Sequence, residues 1–468
     1  MKSEREQMLG QMDVKKLLIK LSIPAIMGMT MNALYNLVDT IFVAKGAGAH
    51  AIGGLLFALP IQMISTAVGL MIGVGSASVF SRAFGRGDKV KMDQAVNTAL
   101  RLDFIIALIF SILGFIFIDE LLIFFGAEAA NIGFGKDYLS IILFGLLFQT
   151  MSMVLNNLTR AEGRPNLAMM ALLIGTGLNI ILDPIFIFDF GFGLGVKGAA
   201  IATVISQIVA FIFIFMKSIA PDSSLHINLK KLFHMDYETV KETIAVGMPT
   251  FLRNATGAVL AIIILNLIRQ YAIDNSAMYV DIYGVINRVI MFIFLPAFGI
   301  VQGMVPIVGF NFGAKNHQRL KDVIIYATKI IIIYFFLGFV FVQVFASGIF
   351  SIFANGTDIF FIEYGSRAFR IISFGFILVG FQIIVSAIFQ AFGFPIRAMI
   401  ATLSRQVLFF IPLAYLLTYL LGINGIWYAF AAADLLSGLI SIGLLFYEMK
   451  SISRLALRVV DTEYIQMV

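Results

Sequence analysis

Two aspartates stand within long apolar stretches of this 468-residue chain. Asp39 follows Tyr35 by four residues, and Asp183 follows Asn179 by four and precedes Pro184. On a helix, residues four apart share a face, so each aspartate has a polar neighbour beside it. If the stretches cross a membrane, an ionisable side chain there costs about 2.5–3.5 kcal/mol on insertion scales and is a functional candidate. Such a pair could bind a proton or a small cation.

The composition decides which kind of protein must position these residues. Apolar residues make up 60% of the chain and charged residues 13%, whereas a soluble globular protein is usually about 25% charged. Too few polar residues remain to cover two or three soluble domains, which excludes a soluble enzyme. Cysteine is absent, so there is no disulfide framework and no cysteine-based zinc site or nucleophile.

The apolar residues occur in long unbroken runs, which predict membrane-spanning helices rather than barrel strands. A helix needs about 20 mostly apolar residues to cross the hydrocarbon core, and its backbone is satisfied internally. The predicted fold class is therefore an all-α polytopic membrane protein with twelve spans. The runs lie near 17–43, 51–80, 95–118, 136–158, 167–188, 197–216, 243–268, 279–309, 323–346, 361–391, 397–420 and 424–447.

The lysines and arginines predict how these spans are oriented. With the N-terminus placed in the cytoplasm, 25 of the 33 basic residues fall in inner segments and six in outer ones, and Arg253 and Arg288 lie within spans. This bias follows the positive-inside rule. It predicts a multi-pass protein of the cytoplasmic membrane with both termini inside. The run that follows the polar first 16 residues is long enough to span, so we expect no cleavable signal peptide.

The chain also repeats itself with an offset of 225 to 230 residues. Because each half holds six spans, both halves start on the same side, and the repeat is parallel. We predict a first lobe over 1–218, a cytoplasmic linker over 219–240, a second lobe over 241–449 and a cytoplasmic tail over 450–468. The matching segments are 24 with 249, 84–88 with 312–316, 161–165 with 391–395, 183–184 with 411–412 and 195–198 with 422–425.

The repeat does not extend to the aspartates. Ile264 and Ile411 stand in the second half where Asp39 and Asp183 stand in the first. An acid needed only for the symmetry of the fold would be expected in both halves, so the asymmetry favours a functional role. The alternative is that each aspartate caps a helix or pairs locally. For a cation, carbonyls that Pro184 frees from the helix could add oxygen ligands.

Aromatic and amide side chains predict the second ligand of such a site. The rings of Tyr35 and Tyr138 can each offer a face worth roughly 0.5–2 kcal/mol to a cation. Amides of Asn32, Asn156 and Asn179 can orient polar substituents, and abundant Met and Phe can form an adaptable wall. We expect a bulky, mostly aromatic organic cation as substrate. The alternatives are that these groups only hold helices together, and that Tyr138 is an interfacial aromatic.

The sequence lacks the residues that metal, haem or nucleotide chemistry would need. All four histidines lie in loops or at span edges, so we expect neither a metal cofactor nor a haem. There is no G-x-x-x-x-G-K-[ST] phosphate loop, so energy must come from an ion gradient or a partner protein. We expect no enzymatic activity, no organic cofactor and no nucleic-acid partner. The bilayer is the environment, and we expect a monomer.

Six motifs, taken in order, resemble the multidrug and toxic compound extrusion (MATE) family over nearly the whole chain. The resemblance implies two six-helix lobes that form a V-shaped cleft, and antiport of cationic amphipathic compounds against Na⁺ or H⁺. The motifs are VDTIFV at 38–43, GVGSAS at 73–78, FGRGD at 84–88, RAEGRP at 160–165, N-x-x-x-D-P at 179–184 and QGMVPIVGFNFGA at 302–314.

The resemblance also implies roles for individual residues. Spans 7 and 10 lack the mid-membrane acids of the NorM-like branch, which favours the DinF-like and MepA-like branches with coupling acids in the first lobe. The implied ion site consists of Asp39, Asn179, Asp183 and Thr203. Of these, Asp39, Asn179 and Asp183 could also hold Na⁺. Pro24 matches a proline associated with a bend in span 1, and we expect hinges at Pro24 and Pro184. The positions that match the lining of the first-lobe cavity are Asn32, Tyr35, Tyr138 and Asn156.

Two other functions remain open from the residues. One is a flippase for a lipid-linked or polysaccharide precursor, which belongs to the same superfamily. Such flippases often have more spans or a strongly cationic cavity for diphosphate, and only Arg253 and Arg288 lie at depth here. The other is a channel or membrane-embedded enzyme, for which the chain offers neither a selectivity-filter repeat nor a catalytic cluster.

Overall fold

A computed structural model describes residues 4–47, 49–126, 132–228, 236–354 and 358–467. Within these ranges the chain is helical and contains no strand. The helices are α1 Glu4–Gln11, α2 Val14–Ala47, α3 Ala49–Arg86, α4 Lys89–Ile116, α5 Ile118–Phe124, α6 Ile132–Ala161, α7 Pro165–Ile187, α8 Gly195–Ser218, α9 Tyr237–Tyr271, α10 Ser276–Gly313, α11 His317–Phe353, α12 Ile359–Ser373, α13 Phe376–Phe392, α14 Pro395–Leu403, α15 Ile411–Leu421 and α16 Asn424–Met467.

The twelve predicted spans are confirmed, although two of them are irregular. Eleven segments are long and apolar enough to cross a membrane, and the pair α12 and α13 makes a twelfth with a bend of 46°. A π-helix, Ser404–Phe410, joins α14 to α15 within the eleventh span. We call α2–α8 the first lobe and α9–α16 the second lobe. Part of the predicted linker, 229–235, lies outside the described residues.

The repeated motifs fall where helices begin and end. Asp88 caps the N-terminus of α4 by accepting a hydrogen bond from Lys91 N at 3.0 Å. Asn316, its counterpart in the repeat, caps α11 by accepting from Arg319 N at 3.3 Å. Such caps satisfy backbone N–H groups that have no partner in the helix. Pairs of this kind explain why these short segments match between the halves.

The two lobes pack tightly at the end of the helices that carries Arg86. A Cβ atom on Gly85 would lie 1.9 Å from Phe310 O, and one on Gly313 would lie 2.1 Å from Arg82 O. These two glycines are repeat partners, and each lets one lobe approach the backbone of the other. By contrast, a Cβ atom on Gly284, near the opposite end of α10, would meet nothing within 4 Å. The lobes are therefore closed at the predicted cytoplasmic end.

Ion pairs reinforce the closed end. Glu242 of α9 pairs with Arg82 at 2.9 Å (Nη2 to Oε1) and with Lys91 at 3.4 Å (Nζ to Oε2). Both basic residues belong to the first lobe, so the carboxylate of the second lobe joins α3 and α4 to α9. Because the Glu242 side chain is 34% exposed, water screens these pairs and each contributes little to stability.

The short N-terminal helix α1 lies across this closed end and contacts both lobes. The Leu9 carbonyl accepts hydrogen bonds from Asn311 and Arg319 of the second lobe, each at 3.2 Å. On the other side, Arg5 pairs with Glu162, which follows α6 and is fully buried. Burial raises the pKa of the Glu162 carboxyl, while the Ser224 backbone N–H and the neighbouring arginines act in the opposite direction.

Candidate functional site

Helices α2 and α7 bring the two predicted aspartates together. Asp39 of α2 lies beside Asp183 of α7, close enough for the two carboxyl groups to interact, and the exposed fraction of Asp183 is 0%. An ionised carboxylate only accepts hydrogen bonds, so two neighbouring carboxyl groups can share a hydrogen bond only when one of them is protonated. Two adjacent carboxylates in a dry site also resist full ionisation. The pair is therefore built to hold at least one proton or another cation.

Asn179 connects the aspartate pair to helix α8. Its Nδ2 donates to Asp183 Oδ1 at 3.1 Å and is 3.4 Å from Thr203 Oγ1. The helical spacing of Asn179 and Asp183 thus produces the shared face that the sequence predicts. All four residues that the resemblance assigns to ion coupling are joined in one group of contacts.

Several oxygens in this group remain without partners. Within the described part of the chain, Asn179 Oδ1 and Asp183 Oδ2 accept no hydrogen bond from an N–H or hydroxyl group, and both are buried. Burying a polar atom unpaired is costly, so these oxygens have capacity for a ligand. No three His, Cys, Asp or Glu side chains of the described residues cluster as a metal site. A Na⁺ ion here would have to use amide, hydroxyl or carbonyl oxygens beside the two carboxylates.

Pro184 supplies one such carbonyl. Proline has no N–H, so the Ile180 carbonyl, four residues before it, loses its helical partner. The helix α7 nevertheless continues to Ile187. Pro24 likewise lies inside a helix, α2, which runs without a break from Val14 to Ala47. Hinge motion at either proline stays a prediction.

Two tyrosines border the aspartate pair. The Tyr35 hydroxyl lies near the side chain of Thr203, and both Tyr35 and Tyr138 lie near Asp39. Tyr138 is 7% exposed and its hydroxyl accepts from Gln62 Nε2 at 3.3 Å. Tyr138 is thus an interior residue of the first lobe and not an interfacial aromatic.

Gln62 is a member of this group that sequence reasoning missed. It lies in α3, two residues after Pro60, within an otherwise apolar run. A lone amide in a predicted span was the only available signal, and nothing in its spacing pointed to Tyr138, 76 residues away. The contact arises because α3 packs along α6.

The two other predicted substrate contacts are not brought into this group. Asn156 is buried, and its Nδ2 donates to the Ala168 carbonyl at 2.9 Å, which ties α6 to α7. It lies 18 residues beyond Tyr138 on the same helix, about 27 Å along the axis. Asn32 is exposed and lies about two helical turns before Asp39. Binding of substrate by either residue stays a prediction, and Asn156 has a structural role.

Another buried carboxyl of the first lobe lies apart from this group, on α4. Asp103 is 1% exposed, and Ser65 and Thr150 line a cavity of about 10 Å³ beside it. A space of this size holds about one water molecule. The sequence assigned no role to Asp103, and its helix packs against α3 and α6.

The second lobe carries different chemistry at the positions that correspond to the aspartates. Ile264 is 1% exposed and belongs to the hydrophobic core, and Ile411 begins α15. A buried acid of this lobe, Asp434, is 1% exposed and pairs with Arg405 at 2.5 Å (Nε to Oδ1). At the two positions that correspond to Asp39 and Asp183, the second lobe thus offers only apolar side chains.

Comparisons with known proteins find relatives of the same architecture. A family model described as MatE matches two segments, 24–185 and 249–416, which begin at the two prolines that the internal repeat aligns. The multidrug export protein MepA of Staphylococcus aureus (strain MRSA252) is 27% identical over 443 residues, covering 94% of this chain and 95% of that protein. MepA of Staphylococcus haemolyticus (strain JCSC1435) is 26% identical over 434 residues, covering 93% and 94%.

Solved structures agree with these relatives. An outward-facing multidrug resistance MATE family transporter of the MOP superfamily superposes with a TM-score of 0.88 at 27% identity, covering 97% of this chain and 100% of that one. A MATE structure in the bent conformation gives a TM-score of 0.89 at 27% identity, covering 98% and 100%. The twelve-span fold and the arrangement of its helices are thus those of the solved relatives.

Proposed function

This chain belongs to the MatE family of multidrug efflux transporters, and we propose that it is an antiporter that exports bulky organic cations in exchange for protons. The observation that carries the proposal is the contact between Asp39 and Asp183 in the first lobe. A proton shared by two carboxyl groups and a positively charged drug compete for the same negative charge. That competition is what exchange of one for the other requires.

The proposed cycle uses the residues around the pair in distinct roles. In the state closed at the cytoplasmic end, protons from outside reach the pair and displace the bound cation. Asn179 would hold the carboxyl of Asp183 in place and also contacts Thr203. Thr203 in turn would position the hydroxyl of Tyr35. The rings of Tyr35 and Tyr138 would contact the aromatic part of the substrate. Closing the outer end and opening the cytoplasmic end then delivers the protons inside.

Na⁺ is the rival coupling ion. The same two carboxylates, with Asn179 Oδ1, Thr203 Oγ1 and the Ile180 carbonyl, would provide oxygen ligands from five groups for it. The contact between the carboxyl groups favours the proton, because Na⁺ would need the two carboxylates ionised and separated by the ion.

The deciding experiment is transport into proteoliposomes that contain the purified protein. An imposed pH gradient at equal Na⁺ should drive ethidium accumulation, and an imposed Na⁺ gradient at equal pH should not. Asp39→Asn and Asp183→Asn should abolish accumulation. Asp281→Asn is the matched control, because Asp281 is an exposed acid of a second-lobe span. Transport that requires Na⁺ and ignores the pH gradient would refute the proton version, and normal transport by Asp183→Asn would refute the site.

We further propose that the protein lies in the cytoplasmic membrane as a monomer with both termini inside. The basic residues that favour this orientation lie at the end where the lobes are closed, so the cleft would face the outside. Reporter fusions at Glu4 and at Met449 should both report the cytoplasm. A fusion that reports the outside at either terminus would reverse the proposed direction of the cleft.

A further inference from the structure

The second lobe contains a cavity of about 60 Å³ that the first-lobe site does not use. It lies between α9, α10, α13, α14 and the π-helix, and its polar lining consists of Arg253, Gln382, Ser386, Thr402, Arg405 and Gln406. By the same measure one water molecule needs about 10–15 Å³. The cavity therefore has room for a small charged group.

The charges around this cavity leave one positive charge unbalanced. The Arg405 guanidinium is paired with the buried carboxylate of Asp434. The Arg253 guanidinium pairs with no carboxylate among the described residues. Its Cζ atom lies over the ring of Phe298, 5.3 Å from the ring centroid. An arginine on a membrane-spanning helix is costly and usually marks a function or a partner. A ring face offsets only a small part of that cost.

Hydrogen bonding in the cavity also leaves donors in excess. Gln406 Oε1 accepts from the Thr256 hydroxyl, and the Gln406 NH₂ group donates to none of the described residues. Gln382 donates from its NH₂ group to the Ala401 carbonyl, which leaves its Oε1 as an acceptor, and the Ser386 and Thr402 hydroxyls bond each other. The guanidinium of Arg253 adds up to five further N–H donors. A ligand that complements this lining must accept hydrogen bonds and carry negative charge.

The local backbone distinguishes this region from its counterpart in the first lobe. Arg405 and Gln406 belong to the π-helix Ser404–Phe410, whereas the corresponding part of α7 is a regular helix. Short π-helices are rare and occur frequently at functional sites, where they change which side chains face a pocket. Here the irregular turn carries two of the residues that line the cavity.

We propose that this second-lobe cavity binds the carboxylate of an aromatic organic anion or zwitterion, with Arg253 as its charge partner. Guanidinium and carboxylate groups form paired, charge-assisted hydrogen bonds, which neutral groups do not match. Phe294 and Phe298 would contact the aromatic body of the ligand. The inference extends beyond the proposed exchange of cations, because it concerns the other lobe and a ligand group of opposite charge. Binding of a carboxylate in the second lobe does not depend on cation exchange in the first.

The test measures binding of a matched pair of dyes to the purified protein in detergent, without any gradient. Rhodamine B carries a free carboxylate, and rhodamine B ethyl ester has the same body without it. For Arg253→Gln we expect binding of rhodamine B to weaken about 10- to 100-fold, the range of a lost charge-assisted hydrogen bond. Binding of the ester should change by less than about twofold, since such an interaction is absent from its complex.

Two further variants keep the result specific. Arg253→Lys retains the charge without the paired geometry and should lose less rhodamine B affinity than Arg253→Gln. Arg288→Gln is the matched control, because Arg288 is an exposed arginine of α10 that does not line the cavity, and it should bind both dyes as the unaltered protein does. Thermal melting in detergent checks that each variant is folded.

Three results would overturn the inference. The first is an equal loss of affinity for both dyes in folded Arg253→Gln, which would mean that the cavity selects ligands by shape and not by charge. The second is no loss of either dye. The third is failure of the unaltered protein to bind rhodamine B at all. A failure of proton-driven ethidium transport would leave this inference untouched, because the binding assay uses no gradient.

Discussion

Asp183 in α7 and Ile411 in α15 are partners in the internal repeat, yet only the first can carry a charge. Around Asp183, the side chains of Asp39, Asn179 and Thr203 form one connected group. The second lobe has Ile264 and Ile411 at the corresponding positions, and elsewhere on α9 it has Arg253, which pairs with no carboxylate among the described residues. The same six-span scaffold thus carries negative charge in one lobe and positive charge in the other.

The comparison separates positions that the scaffold needs from positions that do chemistry. The repeat retains Gly85 with Gly313, where the lobes touch, and Asp88 with Asn316, where helices begin. It does not retain the charged residues at membrane depth. A duplicated fold must keep its helix ends and contact points, whereas one binding site suffices for each ligand.

The largest effect should come from removing the carboxylate that distinguishes the lobes. Asp183→Asn should reduce drug efflux to the level of cells without the protein, because an amide cannot exchange a proton. Adding Ile411→Asp to this variant should not restore efflux, because the second lobe lacks counterparts of Asp39 and Asn179 in contact. Efflux of ethidium from cells with matched protein levels checks both. Restored efflux would mean that the two lobes are interchangeable.

The next largest effect should come from a substitution that forces the lobes apart at the closed cytoplasmic end. Gly303 lies against the backbone and side chain of Ser22, where a Cβ atom would approach within 2.4 Å of Oγ. Gly303→Val should destabilise the closed cytoplasmic end by about 1–3 kcal/mol, the usual cost of overpacking. Because the chain has no cysteine, Ser78→Cys introduces a single thiol at this interface. Alkylation of that thiol should be faster when Gly303→Val is present than when it is absent.

Gly284→Val is the control for that prediction. It lies on the same helix, and a Cβ atom there would meet nothing within 4 Å. Alkylation of the reporter should be unchanged in this variant. Equal acceleration in the two variants would mean that helix propensity, and not contact between the lobes, controls closure.

A smaller and less uniform effect should follow from removing an aromatic face in the first lobe. Tyr35→Ala should lower efflux of several unrelated cationic dyes unevenly, by roughly 2- to 30-fold, if each ring contact contributes about 0.5–2 kcal/mol. Asn156→Ala should instead lower the melting temperature and leave the order of preference among dyes unchanged, because its amide ties α6 to α7. Uneven dye losses in Asn156→Ala would move the binding pocket toward that residue.

The smallest effect should come from the ion pairs between the lobes. Glu242→Gln removes the pairs with Arg82 and Lys91 and should favour opening of the cytoplasmic end by about 0.2–1 kcal/mol, because both pairs share one partly exposed carboxylate. The Ser78→Cys reporter should then react up to a few-fold faster, and added salt should mask the difference. Glu238→Gln, an exposed neighbour without an ion pair among the described residues, should have no effect.

The sequence predicted most of the fold because long apolar runs leave few alternatives to membrane helices. It also predicted that Asn179 and Asp183 share a face, since helical spacing alone determines this. The break between α12 and α13 and the π-helix at 404–410 were not predicted. Both lie within apolar runs, where the local sequence resembles that of an uninterrupted helix.

Contacts between distant helices were harder to predict. Spacing placed Asp39 and Asp183 each on a helix, but their contact depends on how α2 and α7 are rotated against each other. In the same way, the rotation of α6 against α7 directs Asn156 toward the Ala168 carbonyl, and that of α3 against α6 brings Gln62 to Tyr138. Such rotations follow from packing along the whole helix, which no short motif records.

The most direct test of the account is to count protons released when a cationic drug binds to the purified protein. In weakly buffered detergent solution with a pH-sensitive dye, saturating ethidium should release protons from the unaltered protein and from Asp281→Asn. Folded Asp183→Asn should release none at the same ethidium occupancy. Equal release from Asp183→Asn, or release of Na⁺ in place of protons, would contradict the claim that the first-lobe carboxyl pair exchanges a proton for the drug.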